Sequence, residues 1–189
     1  MKVSKVKFKN KNASYSIIIG HGAIKHLKKN INLVCPGAKK IALIFDKKIP
    51  GKLKNKVKKQ IKNFELHVYQ YSVNERLKSF VRANQLNESL LKKNFNRNDI
   101  IIAVGGGVIG DFGGFVASIL KRGINFINLP STLLSQVDAS IGGKTGINSK
   151  KGKNLIGTFH QPKLVISETE FLKSLPKREI ICGFAEILK

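Results

Sequence analysis

The stretch Ile100-Ile101-Ile102-Ala103-Val104-Gly105-Gly106-Gly107-Val108-Ile109-Gly110-Asp111 decides the fold. A short, mostly β-branched run meets three glycines and passes into a helical pattern, which is how a parallel strand hands over to a helix N-terminus. At such a junction the first backbone N–H groups have no partner, and the positive end of the helix dipole faces whatever lies above the sheet. Glycine there permits close approach of an anion. The segment reads as a pyrophosphate cradle, with Asp111 in the first helical turn placed to cap the helix or bind a hydroxyl. Gly105, Gly107 and Gly110 satisfy G-x-G-x-x-G, a weak signal alone. The common dinucleotide fold adds an acidic residue about twenty positions later, whereas no carboxylate lies between residues 112 and 137. Two competing readings are a glycine turn that only packs helix on sheet and a membrane span over Ile100 to Leu120. Six glycines and a central Asp111 exclude the span, because a mid-bilayer carboxylate is costly.

Outward from this junction the chain alternates strand and helix. Strands are expected at Val6 to Phe8, Tyr15 to Ile19, Ile41 to Phe45 (ending at Asp46), Leu66 to Tyr71, Asn125 to Leu129 and Leu164 to Ser167. Helices are expected at Ala23 to Lys29, 52–63, 79–93 and around Leu133 to Val137, the last capped by Ser131-Thr132. This βαβα order predicts an α/β fold with a Rossmann-like parallel sheet and flanking helices. Ser140 to Asn154, rich in Gly, Lys and Ser, reads as a long loop carrying ligand groups. Beyond Pro176 the helical segment Arg178 to Lys189 stops in mid-pattern, which sets the expectation that these residues open the truncated helical domain of a longer enzyme.

At 189 residues the chain can bury one sizeable core. Its formal charge of +24 raises nucleic-acid binding as a rival function, but the charge is unevenly spread. Residues 1–99 carry 24 basic and 5 acidic side chains, against 11 and 6 in residues 100–189, so the excess avoids the glycine-rich half. Only five of the 35 basic residues are Arg, the side chain favoured for reading phosphates and bases. In 52–64 the apolar Leu53, Val57, Ile61 and Phe64 form one helical stripe among lysines, the pattern of a solvated amphipathic helix. Neither nucleic acid nor membrane is expected as a partner. Met1 to Asn10 lacks the apolar core of a secretory signal, and Cys35 and Cys182 stand apart without metal or redox spacing, which suits a cytoplasmic protein.

Four polar clusters carry the chemistry: the glycine turn with Asp111; Lys121-Arg122-Gly123; Asp138 to Gly146 with Lys153-Asn154; and Gly183 to Lys189, where Glu186 and Lys189 share a helix face. Basic groups near an anion cradle point to a phosphorylated or carboxylated substrate, and the helical carboxylate to a metal or a general base. The bland alternatives are a helix cap for Asp138, a solvated helix carboxylate for Glu186, and ordinary loop lysines for Lys144 and Lys153.

At these residues the chain resembles the 3-dehydroquinate synthase family. The matching runs are Gly105 to Asp111, Arg122-Gly123, Leu129 to Asn148, Gly152 to Gly157 and Gly183 to Lys189, and the likeness spans Asp46 to Lys189. It implies an NAD-binding α/β domain over 1–175 and the start of a helical metal and substrate domain over 176–189, with the active site between them. It implies cofactor contacts at Asp46, Glu75, Lys78, Gly107, Val108, Ile109, Gly110, Asp111, Ser131, Thr132, Lys144, Lys153, Phe171, Leu172, Lys173 and Ser174. Catalytic and substrate-facing positions fall on Arg122, Asp138, Lys144, Lys153, Asn154 and Lys189, with Glu186 a ligand of Zn2+ or Co2+. Two histidines of the family's C-terminal domain complete that metal site, and His21, His26, His67 and His160 match neither. The implied substrate is a sugar acid phosphate, 3-deoxy-arabino-heptulosonate 7-phosphate. It is converted in the shikimate pathway to 3-dehydroquinate and phosphate with NAD used catalytically. With one metal ligand in hand, these 189 residues are expected to be inactive alone. A homodimer is a candidate assembly. The alternative is another sugar-phosphate cyclase or a metal-dependent polyol dehydrogenase of the same plan. Ser131, Asn74-Glu75-Arg76 and Ala139 depart from the family pattern.

Overall fold

The computed structural model describes residues 3–11 and 13–189, so Met1 and Lys2, where a signal segment was sought, lie outside the described residues. In chain order the strands and helices are β1 (Ser4–Lys9), β2 (Ser14–Gly20), α1 (Leu27–Val34), β3 (Lys40–Asp46), α2 (Gly51–Gln60), β4 (Glu65–Tyr71) and α3 (Phe80–Lys92). The glycine turn then separates β5 (Ile100–Gly105) from α4 (Gly107–Ile119), followed by β6 (Asn125–Pro130), β7 (Lys144–Ser149), β8 (Gly152–Phe159), β9 (Leu164–Glu168) and α5 (Lys177–Leu188). Seven strands form one sheet in the order β1-β2-β9-β6-β5-β3-β4. All neighbours in it are parallel except the β1–β2 hairpin. The strand reading and the Rossmann-like class are borne out.

Chain direction explains where a ligand can sit. From β3 the chain crosses to β4 on one side, and β5 then returns to the other side of β3. The two crossovers place α2 and α3 on opposite faces, packed into separate cores. A crevice opens above the carboxyl ends of β3 and β5, the topological switch point at which open α/β sheets bind ligands. Asp46 and Gly105 end these two strands, whose Phe45 and Val104 are register partners.

The central strands are apolar on both sides because both faces are covered; every residue of β5 is buried. The apolar run once weighed as a membrane span thus resolves into a buried strand and a helix. Among the described residues no helix is long and apolar enough to cross a membrane.

Ser140 to Asn154 departs from expectation. Instead of one loop, Lys144–Ser149 and Gly152–Phe159 form an antiparallel hairpin lying across α4. Its strands rest on a helix rather than inside a sheet, and β8 is largely exposed, so no apolar alternation marks them. Glycine makes the contact feasible: a Cβ at Gly114 would collide with Thr145, and one at Gly157 with the Thr145 carbonyl. The helix expected around Leu133 to Val137 is present over 133–139 and widens to i→i+5 character over Ser135–Ala139, and Ala23 to Lys29 divides into a 3-10 turn and α1.

Candidate functional site

The glycine turn has the shape its sequence predicts. Gly106 leads into α4 with extended backbone, and no side chain caps the helix's first N–H groups. A Cβ on Gly107 would meet only Ala139, at 3.6 Å, an ordinary contact. Packing therefore does not demand glycine there, whereas close approach by an anion does. Thr132 lies beside Gly106, 3.1 Å from where a Cβ would stand. Its hydroxyl pairs with that of Ser135 at 2.8 Å, and the Ser131 N–H donates to the Gly105 carbonyl at 2.8 Å. Asp46 sits at the end of β3 with its carboxylate accepting from the Lys48 N–H at 2.9 Å. Phe171 is buried in the 3-10 turn Thr169–Ser174 after β9, leaving Leu172 half-buried and Lys173 and Ser174 exposed.

Asp111 stands one turn inside α4 rather than in its first turn. Its carboxylate accepts from the Lys78 ammonium at 2.5 Å. Burial pushes its carboxyl above the ordinary carboxylate value, against the opposing pull of Lys78. Lys78 is itself buried, at 3% exposure, and also donates to the side-chain oxygen of Asn154. Asn154 lies where β8 carries extra residues against β7, and its backbone is left-handed with φ 58°. A bulge of this kind re-aims a side chain. Asn148 closes the network. Its backbone N–H donates to the Lys78 carbonyl at 2.8 Å, its amide to the Glu75 carboxylate at 2.9 Å, and its own oxygen accepts from the Asn154 N–H at 3.0 Å.

Between the Ser135–Ala139 turn, α4 and the hairpin lies a cavity of about 520 Å3. Asp111, Asp138, Lys144 and Asn154 bring polar groups to it, beside Ala139, Ile141 and the Thr145-Gly146 and Gly157–Phe159 segments. Lys153 points outward, 4.0 Å from Glu75. Gly183 lets α5 approach closely, since a Cβ there would stand 2.5 Å from Leu133. This puts α5 against the turn that carries Asp138. On α5, Glu186 is partly exposed with Lys189 3.6 Å away.

Of the residues the sequence marked, Asp46, Glu75, Lys78, the 107–111 turn, Ser131, Thr132, Asp138, Lys144 and Asn154 thus share one rim or the cavity below it. Arg122 does not join them. It follows α4 at the opposite end of the sheet, in a left-handed backbone with φ 65°, grouped with Asn96, Arg97 and Lys121. Asn148 went unmarked by sequence reasoning, although it closes the matching run that ends there. The described residues hold one other grouping of metal-ligand type: His21, Glu168 and Glu170 bring ligand atoms within 4.8 Å of one another. Glu168 is already bonded by the N–H groups of Gly22, Ile24 and Glu170, and Glu170 by Lys56 at 2.5 Å, so these carboxylates fasten the chain instead.

The sequence profile of the family described as 3-dehydroquinate synthase N-terminal matches residues 68–182. The 3-dehydroquinate synthase of Pelagibacter ubique (strain HTCC1062) is 48% identical over 189 residues, all of this chain and 51% of that protein. That of Campylobacter fetus subsp. fetus (strain 82-40) is 46% identical over 178 residues, 94% of this chain and 49% of that protein. The chain spans about half the length of the curated relatives it matches. Among solved structures, 2-deoxy-scyllo-inosose synthase complexed with carbaglucose-6-phosphate, NAD+ and Co2+ superposes with a TM-score of 0.90 at 24% identity, over 98% of this chain and 51% of that one. The 2-epi-5-epi-valiolone synthase of Streptomyces hygroscopicus subsp. jinggangensis 5008, with NAD+ and Zn2+ bound, superposes with a TM-score of 0.79 at 26% identity, over 96% of this chain and 50% of that one. An iron-containing alcohol dehydrogenase shares the fold at 16% identity and a TM-score of 0.73. With an uncapped glycine turn, a polar cavity beneath it and these relatives along its whole length, the chain belongs to the 3-dehydroquinate synthase family.

Proposed function

We propose that this chain forms the NAD-binding part of a 3-dehydroquinate synthase, which converts 3-deoxy-arabino-heptulosonate 7-phosphate to 3-dehydroquinate and phosphate. The observation that carries the reading is the cavity lined by Asp138, Lys144 and Asn154 directly beside the uncapped turn at Gly106–Gly107. NAD suits that turn, because loose packing around Gly107 and free helix N–H groups are what a pyrophosphate requires. When bound, NAD and a metal supply a transient oxidation of a substrate hydroxyl, which acidifies the neighbouring C–H so that phosphate can leave before the hydride returns.

This chain's residues divide the remaining work. Asp46 at the β3 rim, with Ser131 and Thr132, borders the cofactor, while Glu75 and the Phe171 to Ser174 turn flank it. Lys144 and Asn154 face a substrate anion from the hairpin, with Lys153 at its outer margin. Asp138 and Asp111 bound the opposite wall. Glu186 offers one anionic ligand to Zn2+ or Co2+, and Lys189 pairs with it. A catalytic zinc ordinarily takes three protein ligands, so the others belong to a helical domain of which α5 is the first element. A homodimer fits the exposed outer side of β8, where Leu155 faces solvent. Arg122 lies near that strand's end, since Gly123 approaches His160.

The reading is tested in a protein of the relatives' full length that carries these 189 residues, given NAD and zinc. Phosphate release from the heptulosonate phosphate without accumulating NADH is the expected result, and stoichiometric NADH would favour a polyol dehydrogenase. The 189-residue chain alone should release no phosphate. In the full-length protein Glu186→Gln should lose zinc and turnover together while keeping NAD affinity within about twofold.

A further inference from the structure

We propose that Lys78 is a positioning residue, whose buried ammonium fixes the side-chain amide of Asn154 so that the cavity receives a hydrogen-bond donor. An asparagine amide has two similar ends, and only its partners decide which faces where. Lys78 can only donate. The Asn154 atom bonded to it is therefore the oxygen, Oδ1, which leaves the Nδ2 group as the end available to the cavity that Asn154 lines. The same ammonium bonds Asp111, so one charge ties the glycine-turn helix to the hairpin.

Three further features support this assignment. Lys78 is 97% enclosed, and both of its bonded partners line the cavity. Its carbonyl holds the Asn148 N–H, so the hairpin is fastened to the same residue through backbone as well as side chain. Asn154 keeps a left-handed backbone, uncommon outside glycine though open to asparagine, and the bond to Lys78 is what that conformation secures. The cavity then presents the Lys144 ammonium and the Asn154 donor together, a set that takes an anionic oxygen such as a phosphate monoester. This last step rests on the proposed function, whereas the Lys78–Asn154 arrangement does not.

The experiment uses the 189-residue chain, 15N-labelled. The Asn154 side-chain NH2 resonances are assigned by their loss in Asn154→Asp. Lys78→Met should shift that NH2 pair to free-amide positions and speed hydrogen exchange of the 144–159 amides at least tenfold. Lys78→Arg, which keeps a charged donor, should restore the NH2 positions at least in part. Inorganic phosphate should shift the Asn154 NH2 signals in the wild-type chain and bind at least fivefold more weakly to Asn154→Asp. That variant keeps a Lys78 partner and should retain hairpin protection, so it remains informative if Lys78→Met does not fold. If the Asn154 signals and hairpin exchange stay put in Lys78→Met, the proposal is overturned. If phosphate binds nowhere near Asn154 but the NH2 signature still depends on Lys78, the positioning role stands and the anion reading of the cavity falls.

Discussion

Single side chains here do two kinds of work, and their substitutions separate them. At Gly107 packing is loose, because the nearest atom to an added Cβ is 3.6 Å away. Gly107→Val should weaken NAD binding at least tenfold, about 1.4 kcal/mol, while Gly107→Ala should leave the melting temperature unmoved. Calorimetric NAD titration beside thermal melting checks both. Asp99 is the opposite case, fully buried and far from the cavity. It accepts from the N–H groups of Lys40 at 2.9 Å, Asn96 at 2.8 Å and Lys39 at 3.2 Å. Asp99→Ala strands those donors and should cost roughly 3 kcal/mol, read as a lower urea midpoint with unchanged slope. The resemblance singled out Lys78 and Asn154 separately, one for cofactor and one for substrate. That they bond each other was not legible, because 76 positions separate them and only the hairpin's bulge brings them together.

Among the elements, strands buried on both faces were the plainest to read. β3 and β5 are continuous apolar runs between turn signals, and β6 is one broken only by Asn128, so their lengths follow from that pattern. The β7–β8 hairpin was opaque for a physical reason. Apart from the buried Ile147 and its neighbour Ile156 it packs on α4 through glycine and threonine, so most of its residues look like those of a loop. A second tie between elements is electrostatic: Lys56 on α2 reaches Glu170 in the turn after β9. The bonded ammonium holds the Glu170 carboxyl below its ordinary value. A carboxyl lowered on folding stabilises above its unfolded pKa and loses that contribution as pH falls through the folded one. Glu170→Gln should therefore lower the melting temperature slightly near neutrality, by an amount that reflects less than about 1 kcal/mol for this partly exposed pair. The difference should vanish in melts recorded below the lowered carboxyl pKa.

Across the whole molecule, the imbalance of charge lies in the front half, and the chemistry lies in the back half. The lysines of α2 surround a buried Leu53 and Val57, so they solvate a helix. At the other end, α5 exposes Ile181, Phe184, Ile187 and Leu188 on an element that is only partly packed. Such a contiguous apolar patch is normally covered. The 189-residue chain should accordingly bind an apolar fluorescent dye, with little response to salt, and Phe184→Ser with Ile187→Ser should reduce the signal by half or more. The sheet order carries a last consequence, for how the chain is made. Ser16 of β2 pairs with Leu164 of β9, so the first hairpin can find its place only after β9 has left the ribosome. At about 5–20 residues synthesised per second that wait is roughly 10–30 s. During it the hairpin's outer strand shows Lys5, Lys7 and Lys9, whose like charges discourage the strand from pairing with another nascent copy.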